Sequence, residues 1–168
     1  ITHRRHKILT GGYRIPQNRD NSIPRVAWVG NKRELFILTE KHGDTFAYIY
    51  DVSRGKKRII STHRLSQVDK VLDVDFTSDG RMAIMSAVKD GYSDLYLYNP
   101  TLGTTTPITK DSYDDLSPRF YPDSRHVAFV SSRVSDTLHY TSSHDIADYG
   151  YDIYVMDSQN TTSPLLRL

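Results

Sequence analysis

Short runs of alternating apolar and polar residues divide this chain, and one arrangement of them comes round three times. Val26-Ala27-Trp28, Val74-Asp75-Phe76 and Pro118-Arg119-Phe120 each close a short segment on an aromatic ring. After each come a polar turn, an apolar run, a loop and a second run: Tyr48-Ile49-Tyr50-Asp51, Tyr96-Leu97-Tyr98-Asn99 and Tyr154-Val155-Met156-Asp157. Alternation over such lengths predicts strands, because successive side chains of a strand point to opposite faces. Trp28 and Phe76 lie 48 residues apart, and Phe76 and Phe120 lie 44 apart. A period in that range, carried by strands, predicts an all-β chain of about three four-stranded propeller blades.

The turns support the same division. Gly30-Asn31-Lys32-Arg33 separates Trp28 from the next strand, His42-Gly43-Asp44 leads into the third, and Ser53-Arg54-Gly55-Lys56 turns into a charged outer strand over 57–60. Ser78-Asp79-Gly80-Arg81, Lys89-Asp90-Gly91 and Asn99-Pro100 mark the corresponding turns of the second unit, whose outer strand is expected over 104–109. Gly and Asn reach positive φ cheaply, which is what tight hairpins require. The blades are expected over about 23–62, 69–110 and 113–168, with residues 1–22 as an N-terminal segment able to add a strand. The third unit is longer: Phe120 to Tyr154 is 34 residues, against 20 for Trp28 to Tyr48 and Phe76 to Tyr96. The additional 14 residues fall within Arg133 to Gly150 and lack apolar periodicity, so they read as a long loop.

Composition narrows the partners. A length of 168 residues with 38% hydrophobic positions supports one folded domain with its own core. A formal net charge of +2 provides no field for nucleic acid, and His3-Arg4-Arg5-His6-Lys7 reads as a solvated terminus. With no cysteine, disulfides and thiolate metal sites are excluded. No apolar run approaches the roughly 20 residues of a spanning helix, so membrane insertion is not expected. Lacking an initial Met or a signal-like segment, the chain is expected to be a mature protein or an excised piece.

Candidate chemistry is sparse. Gly91-Tyr92-Ser93-Asp94-Leu95 begins like a nucleophile elbow, but Leu95 stands where the second Gly belongs and no helix follows. Catalytic residues and cofactors are therefore not expected in this chain. His139, His144, Asp145 and Asp148 follow no ligand spacing and read as a solvated loop, with no metal. In a propeller, the connections between blades and the loops between second and third strands emerge at one end. That places Tyr113, Asp114 and Asp115 beside His139, Tyr140, His144, Tyr149 and Tyr151. Rings with polar tips and adaptable donors suit protein recognition, so these eight are the candidate partner-binding residues. Asp114 and Asp115 have a second, local reading, in which each bonds its own turn.

The third unit, Asp115-Leu116-Ser117-Pro118-Arg119-Phe120-Tyr121-Pro122-Asp123-Ser124 through Val130-Ser131-Ser132-Arg133, then Ile153-Tyr154-Val155, resembles the repeats of TolB-type β-propellers. The second unit keeps Ser78-Asp79-Gly80, and the first keeps the aromatic and the Tyr-x-Tyr-Asp segment. Ser124 stands where such repeats carry Gly, which costs on the order of 1 kcal/mol if the turn needs positive φ. The resemblance implies a propeller of six or more blades, so further blades or another chain are expected to complete the fold. It implies a non-enzymatic scaffold of the bacterial cell envelope or periplasm that binds a protein or peptide. The alternative it implies is the accessory propeller of a prolyl oligopeptidase-like or tricorn-like peptidase whose catalytic domain lies outside this chain. A polysaccharide-active propeller with a channel metal is the third reading.

Overall fold

Twelve strands make three antiparallel sheets in the computed structural model, which describes residues 24–41, 43–53, 59–133 and 150–168. The first sheet holds β1 (Arg25–Trp28), β2 (Glu34–Lys41), β3 (Asp44–Asp51) and β4 (Ile59–Arg64). The second holds β5 (Lys70–Phe76), β6 (Ala83–Lys89), β7 (Tyr92–Asn99) and β8 (Thr104–Pro107). The third holds β9 (Asp115–Phe120), β10 (His126–Ser131), β11 (Asp152–Asp157) and β12 (Leu166–Arg167). Each sheet keeps its strands in sequence order, and no helix occurs among the described residues. This is the all-β, three-blade architecture that the periodicity predicts.

Register is where the repeat is sharpest. Trp28 pairs with Leu35, Phe76 with Ala83 and Phe120 with Val127, the same seven-residue step in every blade. The next strand repeats it, with Leu35 opposite Tyr50, Ala83 opposite Tyr98 and Val127 opposite Met156. The β6–β7 turn is the two residues Asp90-Gly91, both at positive φ (+52° and +91°), which is the primed geometry that suits strand twist. Outer strands depart from expectation. β4 is described over Ile59–Arg64, four residues past the expected end at 60, its pairing running from Phe46–Arg64 to Ile49–Ser61 with a slip at Ile49/Tyr50, while 57 and 58 of the expected 57–60 lie outside the described residues. β8 stops at Pro107, short of 109, because the backbone N–H groups of Ile108 and Thr109 both turn in to the Leu95 carbonyl.

The sheets pack face to face. Phe36, Leu38 and Ile49 of the first blade meet Val74, Phe76, Met85 and Tyr98 of the second, with Phe36 edge-on to Phe76 at 5.1 Å. On the other face of the second blade, Ile84 and Leu95 meet Val127, Phe129, Tyr154 and Met156 of the third. The middle sheet is thus buried on both sides, and the outer two are not. Val74 and Phe76 are each 6% exposed, whereas Val26 and Trp28, at the same register in the first blade, are 61% and 59% exposed. Ile153 is 49% exposed where its counterpart Leu95 is fully buried. The ring of Trp28 occupies a place built to face another sheet, and none packs there among the described residues. Three blades leave the propeller incomplete.

At one end of the sheets, the turns after β1, β5 and β9 interlock. Asn31 N–H donates to the Ser78 carbonyl at 2.9 Å, and Ser78 N–H donates to Ser124 Oγ at 3.2 Å. A Cβ on Gly30 would lie 2.4 Å from the Ser78 carbonyl oxygen, so only glycine fits that approach. Ser124 does adopt positive φ (+57°), matching Gly80 (+66°). Its hydroxyl also lies 3.1 Å from Ser78 Oγ, so the residue that strains its turn ties two blades together. Asp79 and Asp123 cap their turns alike, accepting from the N–H of Arg81 and Arg125 at 2.9 Å.

Candidate functional site

The opposite end carries the connections between blades and the hairpins between second and third strands. It is built around the segment joining β8 to β9. Thr109 is fully buried there, its Oγ1 accepting from Leu95 N–H at 2.8 Å. Asp111 closes an Asx turn by accepting from Tyr113 N–H at 3.0 Å. Asp114 then clips the segment to the end of β10: its N–H donates to Ser132 Oγ at 3.0 Å. Tyr151 OH donates to Asp114 Oδ2 at 3.2 Å. That bond places the connection after β8 beside the return of the long β10–β11 loop. Desolvation, then the Asp114 charge, raises the Tyr151 hydroxyl above its ordinary pKa.

The predicted site residues divide. Asp114 and Tyr151 are at the surface and in contact with each other. Tyr113 and Asp115 are interior, at 1% and 0% exposure, and do not present their side chains to solvent. His139, Tyr140, His144 and Tyr149 lie outside the described residues, as do His3 through Lys7 and residues 1–22. Ser93 is a buried strand residue within β7, as the missing second glycine suggests.

Asp115 instead anchors a buried ionic cluster. Arg133 Nη2 donates to both of its carboxylate oxygens at 2.7 Å, and Arg133 Nε donates to Ser131 Oγ at 2.9 Å. Asp111 Oδ2 stands 3.4 Å from the same Nη2, and all three charged side chains are sealed from solvent. The rings of Tyr113, Phe129 and Tyr154 lie 5.5–5.9 Å from the guanidinium carbon, a cation–π surround. So the Asp and the Ser-x-Arg of the repeat signature are two halves of one internal ion pair. Burial pushes the Asp115 carboxyl up, against the pull of the guanidinium.

Asp94 completes the cluster. Carboxylate oxygens of Asp94, Asp111 and Asp115 all lie within 4.8 Å of one another. Burial, with the charges of its two neighbours, raises the Asp94 carboxyl to about 6. Asp94 and Asp111 also line a cleft of about 650 Å³ with Lys89, Asp90, Tyr92, Tyr96 and Lys110. Sequence reasoning missed this cleft. Asp94 and Asp111 are 17 residues apart, and only the fold of the β8–β9 segment joins them.

Radial four-stranded sheets with sequential strands, whose first strands line the middle, define a β-propeller segment. The chain belongs to the family described as the dipeptidyl peptidase IV (DPP IV) N-terminal region, which matches residues 4–146. Its repeats are also homologous to TolB. The chain is 32% identical over 122 residues to the Tol-Pal system protein TolB of Helicobacter pylori, across 71% of this chain and 27% of that protein. It therefore spans about a quarter of that relative's length. Among solved structures, a puromycin hydrolase overlays 87% of this chain and 21% of its own at a TM-score of 0.57 and 13% identity. The β-propeller domain of the Trilobed protease from Pyrococcus furiosus covers 86% and 42%, at a TM-score of 0.52 and 9% identity. Both likenesses are of fold.

Proposed function

We propose that this chain forms part of a non-enzymatic β-propeller scaffold of the bacterial periplasm or cell envelope, binding a protein or peptide. Its binding end is the one that carries Asp114 and Tyr151. The observation that carries the reading is the 32% identity with a Tol-Pal system protein over 71% of the chain. The packing of the two ends supports it. Added side-chain atoms at Gly30 and Gly80 would collide with the neighbouring blade, whereas nothing stands within 4 Å at Gly91 or Gly150. The end with room is the end with the long loop. Residues 134–149 carry His139, Tyr140, His144 and Tyr149, and these join Asp114 and Tyr151 as proposed contacts. Further blades, or another chain, would cover Val26, Trp28 and Ile153.

Affinity capture of partners from a periplasmic extract tests this, comparing the intact protein with a version lacking 134–148 and with Tyr151→Ala. Loss of the same captured protein from both variants is expected. Unchanged capture by both would remove the basis for placing partners at this end. A second reading is favoured by the family match and by the two hydrolase-related structures: the accessory propeller of a peptidase. A Gly-x-Ser-x-Gly hydrolase domain in the same polypeptide would establish that reading in place of the first.

A further inference from the structure

We infer that the cleft between the β6–β7 hairpin and the β8–β9 segment binds an organic cation, a lysine or arginine side chain of a peptide, against Tyr92, Asp94 and Tyr96. The inference rests on the peptide-binding reading above and adds the chemistry of what enters.

Three observations converge on it. The first is an internal deficit of positive charge: three carboxylates gather around one guanidinium, and Arg133 is committed to Asp115 by two 2.7 Å bonds. Lys89, across the cleft, is held by Asp69 at 3.0 Å, and Lys110 makes no ion pair with a described residue. The second is a shielded acceptor on the cleft. Asp94 Oδ1 takes both of the hydrogen bonds that described residues give this carboxylate, from Asp111 N–H at 3.2 Å and Thr109 Oγ1 at 3.4 Å. Its other oxygen takes none from a described residue, and the residue, 5% exposed, lines the cleft. A carboxylate so shielded from bulk water gains most from a charged donor. The third is the wall. Tyr92 is half exposed and Tyr96 is buried, so one ring can close over an aliphatic stem while the other backs it.

A divalent ion fits less well. It needs six or more oxygens at contact distance, whereas Arg133 already sits among these carboxylates and Lys89, Lys110, Tyr92, Tyr96 and Pro107 take up much of the wall.

The test is titration of the ¹⁵N-labelled intact protein with Nα-acetyl-lysinamide and Nα-acetyl-argininamide, beside the uncharged norleucine and citrulline analogues and calcium chloride. The two cations are expected to shift the amide signals of Tyr92, Lys110 and Asp111, and the uncharged analogues to leave them in place. Asp94→Asn should weaken binding by about tenfold or more, and Tyr92→Ala, at a half-exposed site, by several-fold. Lys110→Met should tighten it. Equal shifts with citrulline, tighter binding of calcium at the same signals, or no shift with either cation would each overturn the inference. Cationic probes bound here, with partner capture indifferent to the 134–148 deletion and to Tyr151→Ala, would sink the proposed contacts at Tyr151 and residues 134–149 and leave this inference standing.

Discussion

The two junctions between blades are built from the same strands in the same register, yet they are held differently. Between the first and second blades the contact is a continuous apolar core around Phe36, Phe76, Met85 and Tyr98. The charged pair at its rim, Lys89 with Asp69 at 3.0 Å, is exposed. Between the second and third, a smaller apolar cluster is extended by sealed ions: Arg133, Asp115 and Asp111, with Asp94 beside them. Lys89, the last residue of β6, and Arg133, two residues beyond β10, stand at equivalent positions 44 residues apart. A flexible ammonium at that position ends up in water, whereas a planar guanidinium accepts a bidentate carboxylate and three rings. One register position thus serves as surface in one blade and as a keystone in the next.

Removing the keystone should have the largest effect. Arg133→Ala leaves Asp115 buried and uncompensated and is expected to destabilise by about 4 kcal/mol, whereas Lys89→Ala, at an exposed ion pair, should leave stability nearly unchanged. Urea unfolding of the two variants gives the contrast directly. An Arg133→Met, Asp115→Leu double variant should recover most of the loss, since well-packed apolar pairs replace buried ions at little cost. Cutting the apolar junction comes next. Phe76→Ala should cost about 3 kcal/mol, while Trp28→Ala, at the same register on an uncovered face, should fall well below that.

Smaller effects separate the junctions by pH. Asp94 titrates near 6 when folded, above its ordinary value of 3.8, so between those values the folded state holds a proton that the unfolded chain has released. Its contribution therefore falls as pH rises from about 4 to about 6 and is flat beyond. Asp94→Asn should be more stable than the parent at pH 7.5, on the order of 1 kcal/mol, with the difference gone by pH 4. Chemical unfolding at the two pH values checks the sign. Smallest of all is the turn. Ser124→Ala should cost about 1 kcal/mol by losing the bonds to Ser78, and Ser124→Gly should come out near zero, because relief of positive φ offsets the same loss.

Much of this architecture was readable beforehand. Aromatic spacing located the first three strands of each blade: most are buried, so packing enforces their alternation, and the exposed β1 keeps the pattern of a strand built to face another sheet. The outer strands were read less well: β8 starts at Thr104 as expected, but β4 and β12 face solvent on their edge and few of their positions must be apolar. Asp114 and Tyr151 could be placed at one end by connectivity alone, and they do touch. Tyr113 and Asp115 have the same residue types and the same location in sequence, but they point inward. Composition carries no sign of that difference. Asp115 pairs with a residue 18 positions on, and only the meeting of β9 with β10 reveals it. Nor could spacing foretell the cleft around Asp94.

The crowding at Gly30 and Gly80 bears on how such chains diversify. A turn whose added Cβ would collide with the neighbouring blade cannot readily lengthen, so new segments are filtered to the far rim, where a Cβ at Gly91 of the Asp90-Gly91 hairpin would meet nothing within 4 Å. For engineering, that two-residue hairpin is a ready port: foreign peptides grafted there would be displayed without disturbing the hub that keeps the sheets in step.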